Sequence, residues 1–255
     1  TRRSSDLEIA QISVAAKGNF KYWTKNSAAK KELVEFVKDV TDEGSRNFIP
    51  QEERIAVFDC DGTFMCETGP YYFDWMLPLH RALRDKTFNP TDEMINDANE
   101  ITDAIRNKHV TAPIDAKLRD LYPKLMAGMT VDEYRDYVAA YMNTTGLEGF
   151  TNLKAGEAFY LPMVEVISYL TANDFKVYVV SGAEREAVRT LLDGIIPTPP
   201  EQIIGSDHTY RALNQGLKDG SKHFFTDGDK IVRGDTKIDL NLGANKVFKI
   251  QREIG

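Results

Sequence analysis

The sequence predicts an α/β protein, a parallel sheet flanked by helices and interrupted by an all-helical insertion. Three observations carry that prediction. Arg54–Phe58 and Phe175–Val180 are short apolar runs, partly β-branched and apolar on both faces, as strands buried in a parallel sheet are. The second run is followed by a helical pattern and another apolar run, the strand, helix, strand order of a parallel sheet. Between the two runs, residues 72–142 change to helix formers with an apolar residue every third or fourth position.

Taken in order, the first element is a helix over Ser27–Val40, in which Leu33, Phe36, Val37 and Val40 recur at helical spacing. Asn26 or Ser27 caps it. An irregular stretch with Gly44 and Pro50 delivers the chain to the Arg54–Phe58 strand. Asp59-Cys60-Asp61-Gly62-Thr63 follows at once, with a glycine suited to a tight turn. Pro90, Pro113 and Gly128-Met129-Thr130 divide the insertion into three or four amphipathic helices. Thr130 and Glu133 read as a capping box for the last of them. After a glycine-rich return, a helix over Met163–Thr171 leads into the second strand, which ends at Ser181-Gly182. A helix over Arg185–Leu192, a third strand over Glu201–Gly205, a hairpin or loop region to Asp235 and a last helix from Asn245-Lys246 complete the chain. No internal repeat or low-complexity tract interrupts this order.

Composition narrows the function classes. At roughly 150 residues per domain, 255 residues make one large domain or two coupled ones. With 42% hydrophobic and 28% charged residues, disorder, collagen-like repetition and coiled coil are excluded. A net charge of −7 without a basic patch argues against nucleic acid and anionic membrane surfaces as partners. No apolar run approaches the about 20 residues of a membrane-spanning helix. Two cysteines give no disulfide framework, and a Cys60–Cys66 bridge would distort the loop between them, so free thiols are expected. Thr1 and the lack of an apolar leader read as a processed or trimmed chain, cytoplasmic or exported. Oligomeric state leaves no signal.

Ligands of open parallel sheets bind beyond the carboxyl ends of the strands. The clusters at Asp59–Thr63 and Ser181-Gly182 occupy two such ends, so they are expected to converge on one pocket. Two carboxylates at a spacing of two can share Mg²⁺, a hard cation that takes oxygen ligands and keeps several waters. A carboxylate can also attack phosphorus while its neighbour moves the proton. A hydroxyl and backbone N–H groups at the second strand end would bind phosphoryl oxygens, and a lysine would neutralise the remaining charge. Thr63 either supports the loop or steadies the phosphate. Glu67 with Tyr71, Tyr72, Phe73 and Trp75 can hold a substrate ammonium group by charge and cation–π attraction. The plainer reading makes those aromatics the core of the first inserted helix. Arg185 contacts substrate or merely begins its helix. The four histidines lack metal-ligand spacing.

Asp-x-Asp-Gly-Thr after an apolar strand, a later strand ending in Ser-Gly, and then a lysine opening a helix together resemble the haloacid dehalogenase superfamily of phosphatases. Because the helical insertion falls between the first two motifs, the layout looks most like the phosphoserine phosphatase branch. The resemblance spans about residues 54–255. It implies a Rossmann-like core over residues 1–70 and 156–255, with an N-terminal helical extension, and a helical cap over 71–155. It further implies Asp59 as nucleophile and Asp61 as general acid and base, both on Mg²⁺. Ser181 with Gly182 would bind phosphate, Lys246 would neutralise charge, and Glu67 would lie near a substrate-contacting glutamate. Asp61 separates the chain from the dehalogenases of the superfamily, which have no leaving alkoxide to protonate; phosphomutases keep both aspartates. The expected activity is therefore magnesium-dependent hydrolysis of a small phosphate monoester, with an amine or amino-acid ester suggested by Glu67.

One part of the pattern is out of place. The family carries a Gly-Asp-x-x-x-Asp motif after the lysine helix. Gly234–Asp239 has that spelling but precedes Lys246 and follows no strongly apolar strand, so it reads as a decoy. Taking Lys222 as the lysine would restore the order, yet no amphipathic helix opens there. The expectation is a natural polypeptide that continues past Gly255. The alternative is a phosphate-binding module of weak or no turnover.

Overall fold

The computed structural model describes residues 20–66 and 71–255. Its sheet has four strands in the order β1 (Ile55–Phe58), β2 (Lys176–Glu184), β3 (Ile203–Ala212) and β4 (Ile231–Ile238). The first three are parallel, and β4 returns antiparallel on β3 as a hairpin. The α/β class expected from the apolar runs is thus present, with eight α-helices among the described residues beside the sheet.

The strand expected to be buried at Arg54–Phe58 is instead the edge of the described sheet. β1 pairs with β2 alone, and Ile55 and Val57 are 44% and 41% exposed. An apolar run reports that a strand tolerates cover on both faces; it does not report which neighbours supply the cover. β2 and β3 are both longer than expected. β2 runs through Ser181-Gly182 to Glu184, with a register shift between Val180 and Glu184, because residues 181–184 still meet β3. β3 extends to Ala212 because β4 gives its far half a hydrogen-bonded partner.

Helix α1 (Ala28–Thr41) starts where Ser27 accepts a hydrogen bond from the Lys30 N–H, and it buries Val37 and Val40. The insertion forms α2 (Phe73–Leu83), α3 (Asp92–Arg106), α4 (Ala112–Met126) and α5 (Val131–Thr144). Its last helix has the expected capping box: Glu133 N–H donates to Thr130 Oγ1 at 3.1 Å and Thr130 N–H to Glu133 Oε2 at 2.8 Å. Two apolar clusters divide these helices. Leu79, Ile101, Ile105, Leu118, Leu121 and Leu125 form one among α2, α3 and α4. The second helix face of α2, with Phe73 and Leu77, joins α5 in the cluster beneath the sheet, where Tyr134, Val138 and Met142 are buried with Val177 and Val179. The boundary between the two apolar clusters therefore passes through α2 and sets α5 on the sheet side.

Helix α6 (Leu161–Thr171) precedes β2, α7 (Arg185–Leu192) follows it without a linker, and α8 (Ala244–Glu253) closes the chain. β4 also grips the insertion. Arg233 N–H donates to Met129 O at 2.8 Å and Gly128 N–H to Arg233 O at 2.9 Å, so the turn between α4 and α5 is hydrogen-bonded to the sheet.

Candidate active site

Parallel pairing of Phe58 with Val179 brings β1 to its end level with Val180, so the loop 59–63 emerges beside residues 181–183. That loop is wound around one acceptor. The backbone N–H groups of Thr63, Phe64 and Met65 all donate to Cys60 O, at 3.2, 3.2 and 3.1 Å. Gly62 takes φ 72°, a conformation that costs other residues steric strain. The result projects Asp59 outward and turns Cys60 inward. Burial, and after it the charges of Asp61 and Asp59, push the Cys60 thiol well above its usual range, so it stays protonated.

Asp59 Oδ1 accepts from the Cys60 N–H at 2.8 Å, and Oδ2 accepts from Lys246 Nζ at 2.6 Å. The two residues lie 187 positions apart, so α8 must be held in place for the contact to exist. Lys249, one turn further along α8, is 1% exposed and donates to Gly205 O and Asp207 Oδ2, both at 2.6 Å. At the far end Arg185 forks onto Asp207 and Glu253, and Arg252 pairs with Asp239. Before the helix, Asn241 Nδ2 donates to Ser181 O at 2.7 Å and its N–H to Ser206 Oγ at 2.9 Å, lashing this segment to the ends of β2 and β3. Leu242 then rests on Gly182, where a Cβ would collide with it.

Asp59, Asp61 and Lys246 line a cavity of about 390 Å³ together with the backbone at Gly182 and Ala183. Helix α4 closes the opposite side with Asp115, Leu118, Arg119 and Tyr122, positions that share one helical face. Helix α2 and the residue that precedes it add Asp74, Trp75 and Tyr72. Arg119 Nε donates to Asp115 Oδ2 at 2.7 Å, and the Tyr72 and Trp75 rings meet edge to face at 5.0 Å. Four aspartates and two cations thus surround the space. The α4 residues and Asp74 escaped the sequence reading; the spacing 115, 118, 119, 122 was the available signal, since polar side chains on it interrupt an otherwise apolar stripe.

The remaining expected residues are distributed as follows. Ser181 is fully buried and does not line the cavity; its hydroxyl oxygen accepts from the Ala183 N–H at 3.1 Å. The lining there is the backbone that follows it. Thr63 is half-buried within the loop and is not part of the cavity lining. Arg185, read as a substrate contact or the start of its helix, is taken up by Asp207 and Glu253 and is not part of the cavity lining; it joins α7, β3 and α8. Glu67 lies outside the described residues. Of the aromatics near it, Tyr72 and Trp75 reach the cavity, while Phe73 packs on Tyr141. Asp239 of the Gly234–Asp239 segment is bound to Arg252, and neither it nor Asp235 lines the cavity.

Behind the cavity wall lies a buried polar cluster. Glu184, with no exposed surface, accepts from the Ala187 N–H at 2.7 Å and from Arg233 Nη1 at 2.9 Å. Its own N–H donates to Asp74 Oδ1 at 3.1 Å. Arg233 also bonds His208 Nδ1 and lies 3.7 Å from the centre of the Tyr134 ring, and Tyr134 shares a 2.7 Å hydroxyl contact with Tyr122. Burial lowers the His208 pKa, so it is a neutral acceptor for Arg233. Burial alone, the largest single influence, would raise the Glu184 carboxyl; the Arg233 charge and the hydrogen bonding of Arg233 and His208 together outweigh it and hold the group far below the usual carboxylate range. Two cavity residues, Asp74 and Tyr122, are therefore tied to three strands of the sheet.

Asp59 and Asp61 both line the cavity, and carboxylate oxygens are the donor type that a hard cation such as Mg²⁺ takes. Among the described residues no group of three or more His, Cys, Asp or Glu is arranged to hold a metal.

No protein-family model matches the chain. No curated protein matches it either. Among solved structures, one similar to it is a conserved, functionally unknown protein from Anaerococcus prevotii DSM 20548, at 13% identity and TM-score 0.51, covering 92% of this chain and 79% of that one. That likeness is one of fold.

Proposed function

We propose that the protein is a magnesium-dependent phosphatase that hydrolyses a small phosphate monoester through an aspartyl-phosphate at Asp59, as the resemblance to the haloacid dehalogenase superfamily implies. The observation that carries the reading is the 2.6 Å contact between Lys246 Nζ and Asp59 Oδ2 in a cavity that Asp61 shares. A phosphoryl group bonded to an Asp59 oxygen lies within reach of that ammonium.

In the first step Asp59 attacks phosphorus and the ester oxygen departs, taking a proton from Asp61. In the second, Asp61 removes a proton from water, which attacks the phosphoenzyme and frees phosphate and Asp59. Lys246 offsets charge on the transferring group. Mg²⁺, held by Asp59 and Asp61, would add positive charge at the same oxygens. Helices α2–α5 act as the cap, with the α4 face over the reacting atoms excluding water and selecting the alcohol. The aromatic pair Tyr72 and Trp75 beside Asp74 and Asp115 suits a leaving alcohol that bears an ammonium group.

The test is release of nitrophenol from an aryl phosphate with and without Mg²⁺, for the unmodified chain and Asp59→Asn. Magnesium-dependent release that Asp59→Asn abolishes is the expected result. Phosphate binding without any magnesium-dependent rate would instead make the protein a phosphate-binding module, the reading favoured by the place of Gly234–Asp239, ahead of Lys246 and off the cavity lining.

A further inference from the structure

A second cavity, of about 170 Å³, lies against the same stretch of chain that walls the first. Residues 71–76 divide between them. Tyr72, Asp74 and Trp75 line the Asp59 cavity, and Tyr71, Phe73 and Met76 line the other. Met65 and Cys66, which follow the Asp59–Thr63 loop, also line it, and the Gly62 N–H donates to Met65 O at 2.9 Å. The second cavity thus touches both the nucleophile loop and the helix carrying Asp74.

Its chemistry differs from that of the first. Met76, Leu79, Leu83 and Leu147 make its interior apolar. Arg84 and Arg106 line it and are themselves exposed, which marks the side that meets solvent. Among the described residues neither guanidinium makes an ion pair or a side-chain hydrogen bond. Glu148 is the one carboxylate among the described lining residues, which set the two guanidinium groups against a single carboxylate. His80 adds no charge, since burial lowers its pKa and Nδ1 is engaged with Tyr137 at 3.1 Å. The volume lies below the about 300–1,000 Å³ of drug-sized sites, so the occupant is small.

We infer that this cavity binds a short-chain aliphatic carboxylate, with its head group between Arg84 and Arg106 and its tail against Met76, Leu79 and Leu147. Bound there, the ligand braces α2 from behind and steadies Asp74 in the neighbouring cavity. The inference stands apart from the phosphatase reading, because its measurement is binding.

Hexanoate is titrated into the full chain carrying ¹³C-methyl methionine, with hexan-1-ol and hexylammonium as controls. Saturable shifts of the Met65 and Met76 methyl signals are expected. Both controls should bind about tenfold more weakly, as should the Arg84→Gln/Arg106→Gln double variant, the loss of a charge-assisted contact. Both substitutions are at exposed positions, so folding is retained, and an unchanged melting temperature checks it. The inference is overturned by hexanoate leaving those two methyls unmoved, by hexan-1-ol binding as tightly, or by the double variant binding like the unmodified chain.

Discussion

Replacing Lys246 with Met separates a catalytic role from a structural one, because the two roles predict very different magnitudes at this position. The Lys246 and Asp59 side chains are 25% and 43% exposed, so water screens their attraction in the resting protein. An exposed pair of this kind contributes about 0.2–1 kcal/mol to folding. For a chain of this size that is a fall in Tm of roughly 1–4 °C at most. Under the proposed mechanism the same ammonium would face a phosphoryl group in a cavity closed by α4, and losing one such stabilising group costs about 10²–10³ in kcat, or roughly 3–4 kcal/mol. The assay is steady-state phosphate release with Mg²⁺, beside a thermal melt of the same preparation. Lys246→Met is expected to lose activity by that factor and keep its Tm; Lys246→Arg is expected to recover part of the rate. A loss of activity under about threefold, or one that tracks a large loss of Tm, would refute the assignment.

Lys249→Met should behave in the opposite way: this side chain is buried and anchors α8, so a loss of several kcal/mol is expected by chemical denaturation, on the scale of about 3–5 kcal/mol for breaking a buried pair. Gly205→Ala places a Cβ 2.6 Å from the Arg185 Cα and 2.8 Å from Ala183 O, backbone atoms that cannot yield, so it should destabilise more than Gly182→Ala, which presses only on the end of the Leu242 side chain. The Glu184 carboxyl has a folded pKa depressed below its ordinary 4.5, so its stabilisation is complete above that value and lost as pH falls further; Tm measured from neutral pH downward should drop along this limb, and Glu184→Gln should flatten the drop. A thiol-reactive dye should label Cys66 ahead of Cys60 in the native protein, because burial keeps Cys60 protonated; equal rates would contradict the loop geometry.

Much of the fold was legible because its signals are local. The Thr130–Glu133 box, the helix over 185–192 and the turn after Phe58 depend on residues a few positions apart, and each appears where its spacing puts it. What stayed hidden depends on distant partners. The exposure of Ile55 and Val57 depends on how many strands flank β1, and the length of β3 depends on β4 arriving beside it. Arg185 illustrates the same limit at the site. Its position next to Ser181-Gly182 suggested substrate, yet Asp207 and Glu253 surround its guanidinium, and no local pattern announces two acids that far along the chain.

The site itself divides along that line. Asp59 and Asp61 are legible because one tight loop carries both. Lys246 was legible only through its place in an ordered set of motifs, and its approach to Asp59 depends on Lys249, Arg252 and Asn241 fastening α8 and its approach segment. The face that would choose a substrate was illegible for a physical reason. A helix side turned toward a polar cavity has the same polar composition as one turned toward water, so Asp115 and Arg119 look like an ordinary i, i+4 surface pair. Only Tyr122 and Leu118 on the same side break that appearance, since a solvated face has no use for a fully buried tyrosine hydroxyl bonded to Tyr134. Substituting Arg119 with Ala should therefore alter KM for a charged ester while leaving the rate with a neutral aryl phosphate nearly unchanged. Equal effects on both substrates would mean that the α4 face supports the cavity without reading what enters it.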